Sequence, residues 1–251
     1  MFSWAQKRQF AIIGGAVLAF FILFVLPSYF ILREQPSCSN GTQDGAEEGR
    51  DCGGSCRYLC DGTLALPITH FARAVPVGPG QVGAVAYLEN RNPNAGARDV
   101  PYVLKAYDAN GLLVGEKHGA AYLPPRKVFA LFEGRMETGD RVPVRATFDW
   151  KEEPRFERMS EEPLIDIRNK RFETVPEGSR LDALLYNASL SNIRGIDVTA
   201  LLFDGQGNVY AASATKVNEL PNQSTAAISF TWPHTLREPA RIEVLYTVPG
   251  R

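Results

Sequence analysis

The stretch "VGAVAYLENRNPNAGARDVPYVLKAYDANGLLV", beginning at Val82, is matched 96 to 98 residues later by "RLDALLYNASLSNIRGIDVTALLFDGQGNVY", beginning at Arg180. Asn90 aligns with Asn187, Tyr107-Asp108 with Phe203-Asp204, and Gly111 with Gly207. The match continues through Leu123-Pro124 against Leu220-Pro221 and Pro143 to Trp150 against Pro239 to Tyr246. A repeat of this length means one structural unit built twice, and it must be found before anything else is assigned. The 251 residues hold two such units of about 90 residues each plus an N-terminal segment.

Inside each copy the apolar period is two. In "VRATFDW" Val144, Ala146, Phe148 and Trp150 share one face, and in "RIEVLYTV" Ile242, Val244, Tyr246 and Val248 do the same, as half-buried strands require. The runs are separated by "NPNAG", "DANG", "LPP", "DGQG" and "LPN", where Gly, Asn, Asp and Pro supply turn chemistry. About six or seven strands per copy are expected from this spacing. The expected fold class is all-β, two tandem antiparallel sandwiches, preceded by one N-terminal transmembrane α-helix. Asp108 to Gly111 and Asp204 to Gly207 read as hairpin turns, with Gly at positive φ and Asp capping through its side chain. "GPGQVG" at 78–83 lacks a phosphate-loop lysine and also reads as a turn.

The order strand, Asn, loop, "VLKAYD" with "ANG", "LPP" and a closing strand resembles the immunoglobulin-like FxLYD domains of bacterial envelope proteins. The second copy, with "ALLFDGQG" and "LPN", is similar but departs at its aromatic positions. The resemblance spans about residues 64–250. It implies an extracytoplasmic β-sandwich and brings no catalytic residues.

From Phe10 to Leu32 run 23 residues without a charge, enough at 1.5 Å per residue to cross a hydrocarbon core of about 30 Å. The segment is longer than a signal-peptide core and ends in "PSYFILREQPSC" without an Ala-x-Ala-like site, so an uncleaved anchor is expected. Lys7 and Arg8 precede it while Arg33 and Glu34 cancel, which places the N-terminus in the cytoplasm and the rest outside. The lipid bilayer is therefore the partner of residues 10–32.

All four cysteines fall in "CSNGTQDGAEEGRDCGGSCRYLC", as Cys38, Cys52, Cys56 and Cys60. An even count on the exported side favours two disulfides of unassigned connectivity over zinc, and there is no C-x-x-C redox pair. The stretch also resembles a Cys-rich "DCGG-C" module of exported bacterial surface proteins, which supports a stapled stalk. With Asn40 as position 1, Thr42, Asp44, Glu48 and Asp51 fall in the register of a calcium loop. The Thr, the short Asp at the last position and the missing flanking helices argue for a turn between disulfides. A structural calcium is the only cofactor expectation; otherwise none is expected.

The expected organisation is a cytoplasmic tip at 1–9, the anchor at 10–32, a disulfide stalk at 33–62, sandwich 1 at 63–150, a linker at 151–163 and sandwich 2 at 164–251. The linker, "KEEPRFERMSEEP", reads as solvated because it is charged and bounded by prolines. A net charge of -1 gives no pull toward nucleic acid. His70, His118 and His234 are scattered and no nucleophile or metal motif appears, so no enzyme is expected. Tyr87, Tyr102, Tyr107, Tyr122 and Phe129 could form an aromatic ligand face or simply alternate into the core. The sequons at Asn40, Asn187 and Asn222 read as unused. The expected role is a non-enzymatic membrane protein contacting an unidentified envelope protein, with small-ligand or cell-wall glycan binding as the alternative.

Overall fold

The computed structural model describes residues 4–32, 36–78, 81–139 and 141–249. The chain forms two compact units that divide after Cys56.

In the first unit, α1 (Trp4–Phe20) passes through a π-helical turn (Phe21–Val25) into α2 (Leu26–Leu32). Pro27 explains the interruption. It has no N–H to give and its ring crowds the carbonyl four residues earlier, at Leu23, so the preceding turn widens instead of breaking. Within the stretch Trp4–Phe30 an 18-residue window has a mean hydropathy of 2.6, and none of that window is buried. It is long and apolar enough to cross a membrane. Arg33 and Glu34, used above to orient it, lie outside the described residues.

The second unit is all-β. Its first half contains β1 (Ile68–Gly78), β2 (Gln81–Asn90), β3 (Ala95–Tyr107), β4 (Leu113–Leu123), β5 (Lys127–Met136) and β6 (Arg145–Trp150). After the two-residue β7 (Glu157–Arg158), its second half contains β8 (Ile165–Val175), β9 (Gly178–Asn187), β10 (Ile193–Phe203), β11 (Val209–Leu220), β12 (Thr225–Trp232) and β13 (Arg241–Thr247). The antiparallel sheets are β1-β2-β5 and β4-β3-β6 in the first half, and β8-β9-β12 and β11-β10-β13 in the second. Strand for strand the two orders are the same, as the repeat requires. Each pair of sheets encloses its own core, one around Leu88, Leu104, Leu123 and Phe129, the other around Leu181, Leu185, Ile196 and Phe230.

The aligned asparagines hold equivalent corners. Asn90 donates to the carbonyls of Ala95 and Pro124 at 2.8 and 2.9 Å, and accepts from the N–H of Asn92 at 3.0 Å. Asn187 donates to Ser191, Leu220 and Pro221 and accepts from the N–H of Ser189. Both are fully buried, so each satisfies backbone groups that the β2–β3 and β9–β10 loops would otherwise leave unpaired. The Asn187 sequon is thereby out of reach in the folded chain. The aspartate turns also coincide: Asp108 accepts from Asn110 and Leu112, Asp204 from Gln206 and Asn208, and Gly111 and Gly207 sit at φ +78° and +80°.

One expectation changes. Residues 151–163 are not a solvated connection: Phe156, Glu157 and Met159 are buried, and β7 pairs with Ala95 and Gly96 of β3. Two of the charges that suggested solvation are matched by cations distant in sequence, Glu157 by Arg57 and Arg98 at 2.6 and 2.8 Å, and Glu162 by Lys127 at 2.5 Å. The two halves also share a buried contact. Val75 and Val85 of the first half and Leu201, Phe203, Val209 and Ala212 of the second make a third buried cluster. The outer face of β1-β2-β5 therefore packs on the outer face of β11-β10-β13. Across that seam Tyr87 donates to Glu243 at 2.7 Å, and burial is the main reason its hydroxyl pKa is pushed up to about 12.

Candidate functional site

Beside the seam lies a cleft of about 560 Å³, within the range of small-ligand and side-chain pockets. Its walls come from β3, β4 and β5 of the first half and from β10, β11 and β13 of the second. β4 and β5 are edge strands of their sheets, so the cleft opens where the first half stops pairing.

Tyr102 and Glu133 sit on opposite sheets of the first half and meet at the cleft, with the phenol donating to the carboxylate at 2.5 Å. Burial, followed by this bond, raises the Tyr102 pKa, so the tyrosine keeps its proton and the glutamate accepts it as a hydrogen bond. Gly119 is paired opposite Tyr102, and a Cβ there would come within 2.5 Å of the phenol. The glycine makes the space. Asp99 also lines the cleft, at φ +51° in a bulge of β3 between Ala97 and Val100. On the facing wall Asp197 is paired with Lys216 at 3.1 Å.

The aromatic face expected from the sequence is divided. Tyr102 and Tyr122 line the cleft. Phe129 is buried in the first core, Tyr87 stacks on Phe71 at the seam with centroids 5.0 Å apart, and Tyr107 lies under Arg145. Asp99, Glu133, Asp197 and Lys216 were not anticipated. Aligning the copies strand by strand would have marked the first two, because their counterparts are Gly195 and Phe230. His70, His118 and His234 do not line the cleft.

In the Cys-rich stretch, Cys38 is bonded to Cys56, and Cys52 and Cys60 are also in disulfide form. Oxidised sulfurs offer zinc no thiolate, so although Glu47 lies beside Cys38 and Cys56 the three make no metal site. The calcium-register residues come together only in part. Asn40 donates to Asp44 at 2.7 Å and accepts from the N–H and hydroxyl of Thr42, while Asp51 accepts from the N–H of Gly41. Their oxygens thus close backbone turns. Glu48 lies against Gly53 and makes no side-chain hydrogen bond to the other four among the described residues. Glu47, outside the register, links the loop by accepting from the N–H groups of Asp44 and Asp51, both at 3.2 Å. No family model matches the chain, and no curated protein matches it.

Proposed function

We propose that this chain is a non-enzymatic, single-pass membrane protein whose β unit is held outside the cytoplasm as a binding head. The observation that carries the reading is the cleft, where the first half places a tyrosine–glutamate pair and an aspartate that sheet packing does not require. The seam supports it, because a head fixed by a buried apolar cluster holds both cleft walls in register before a partner arrives. The apolar helix and the fully oxidised cysteines favour an exported position. The strand order, with β2–β5 and β3–β6 neighbours reached by crossing between sheets, is in keeping with immunoglobulin-like sandwiches. The unidentified envelope protein remains the favoured partner, and a small ligand is the second reading, favoured by the cleft's size.

The test uses the full chain in its own membrane. A photo-activated cross-linking residue at Ala120, on the cleft wall, should capture a discrete partner or ligand that the same residue at exposed Lys170 does not. A membrane-impermeant amine reagent should label Lys105 and Lys216 in intact cells. Protection of both lysines until lysis would overturn the topology, and identical capture patterns at the two positions would overturn the binding role.

A further inference from the structure

The second half is a control for the first, since the same fold is built there with different residues at the same places. Tyr102 pairs with Gly119 and Trp150, and its counterpart Val198 pairs with Thr215 and Tyr246. Glu133 pairs with Ala84, and its counterpart Phe230 pairs with Leu181. Val198 and Phe230 both belong to the second core. Asp99 corresponds to Gly195, and both take left-handed backbone, at φ +51° and +64°. Glycine is the residue that conformation favours, and a side chain there costs on the order of 1 kcal/mol. In the second half these positions hold Gly, Val and Phe. In the first half they hold Asp, Tyr and Glu, all three lining the cleft.

Three carboxylates, Asp99, Glu133 and Asp197, and one ammonium, Lys216, line the cleft, and the ammonium is already paired with Asp197. Tyr102 and Tyr122 also line it, the Tyr102 ring buried and stacked on Phe148 and the Tyr122 ring under Arg98 at 5.8 Å. Carboxylates attract cations directly, and Arg98, which bonds the Pro249 carbonyl at the cleft, is one cation already held over a cleft tyrosine; an anionic ligand would meet more negative than positive side chains among the lining residues. We infer that the cleft binds a cationic group, an aliphatic ammonium or guanidinium, with Asp99 and Glu133 as its counter-ions and Tyr102 as the positioning residue that holds Glu133. This rests on the cleft being the binding site of the head. The cation can arrive as a lysine or arginine side chain of a partner or as a free small amine.

Titration calorimetry of the full chain in lipid nanodiscs at low salt tests this with Gly-Arg-Gly and Gly-Lys-Gly, free arginine and putrescine, the neutral analogues citrulline and Gly-norleucine-Gly, and glutamate. Cationic probes should bind, neutral and anionic ones should not, and affinity should fall as salt rises. Peptides binding more tightly than free arginine would identify a chain-borne side chain, and the reverse order a free amine. Glu133→Gln and Asp99→Gly should each weaken binding by about tenfold or more. Asp99→Gly should leave the thermal midpoint of the free protein unchanged or raised, which separates a ligand role from a structural one. Tyr102→Phe should weaken binding less than Glu133→Gln. Equal affinity for citrulline and arginine, unchanged binding in Asp99→Gly and Glu133→Gln, or no cation bound at millimolar concentration overturns the inference. If cross-linking at Ala120 still captures a partner, only the cationic assignment fails; if it too is negative, the binding head fails with it.

Discussion

At the scale of single residues, the fold reuses some side chains and reassigns others. Asn90 and Asn187 were legible because each opens a loop at the same place in both copies, and each proves to be a fully buried bridge. Replacing Asn187 by Ala removes a donor from three carbonyls; Ser189 and Ser224 still reach those of Ser191 and Pro221, but the Leu220 carbonyl loses the side-chain donor given for it. We expect a loss of ~2–3 kcal/mol, read as a lower denaturation midpoint at unchanged slope, and a loss under 0.5 kcal/mol, the scale of a neutral surface change, would contradict the bridging role. Glu133 was not legible. Alternation marks which residues share a face but not which face ends at a cleft, and a bulge between the Ala84 and Val82 pairings shifts the end of β5.

At the scale of elements, residues 151–163 show how composition misleads. Five carboxylates in "KEEPRFERMSEEP" suggested solvation, yet Phe156 completes the first core and Glu157 and Glu162 are anchored by cations distant in sequence. Nothing in the local sequence names Arg98 or Lys127 as partners, because pairing across 35 or 59 residues is fixed by the fold. Glu162 also accepts from the N–H of Val248, and Lys127 sits 3.2 Å from the centre of the Tyr246 ring. Removing the carboxylate by Glu162→Ala strands a mostly buried ammonium, whose pKa burial already lowers. A loss of ~2 kcal/mol is expected, together with faster proteolysis of 151–163; an unchanged cleavage rate would show that the segment is not held by this pair. The bond from Arg57, followed by the charge of Arg57 and the bond from Arg98, holds the Glu157 pKa below the ordinary carboxylate value. Because the folded pKa is depressed, its stabilisation is complete above the unfolded carboxylate range and disappears as pH falls through the folded value. Acid unfolding should therefore begin at a higher pH in Arg98→Met than in the parent, and coincident acid curves would refute the role of that pair.

At the scale of the whole molecule, the seam was written in the sequence but hidden by the repeat. β2 reads "GAVAYL" and β10 reads "VTALLF" almost without a polar break, the pattern of strands covered on both faces. Period two explains only one of those faces; the other is the seam. The packing joins unlike faces, so the counterpart faces point outward, and there the apolar residues give way to polar ones. Val85 corresponds to Asp182, which binds Arg180 and Ser229, while Leu201 and Leu245 correspond to Lys105 and Asp149, which pair with each other. A stack that could have propagated by head-to-tail contacts is thus capped at two. Adjacent residues of β10 test the seam directly, since Leu201 belongs to the seam cluster and Leu202 to the second core, both fully buried. A buried carboxylate without a partner costs several kcal/mol wherever it is placed, so Leu201→Asp and Leu202→Asp should be equally severe in chemistry and different in consequence. Leu201→Asp should part the halves while each keeps its enclosed core, splitting one thermal transition into two and exposing the backbone amides of β2 and β10 to hydrogen exchange along the seam. Leu202→Asp should unfold the second half alone, abolishing exchange protection from β8 to β13 while β3 and β4 stay protected. If both substitutions instead unfold the entire β unit in one step, the two cores do not stand without the seam and the halves are a single cooperative domain.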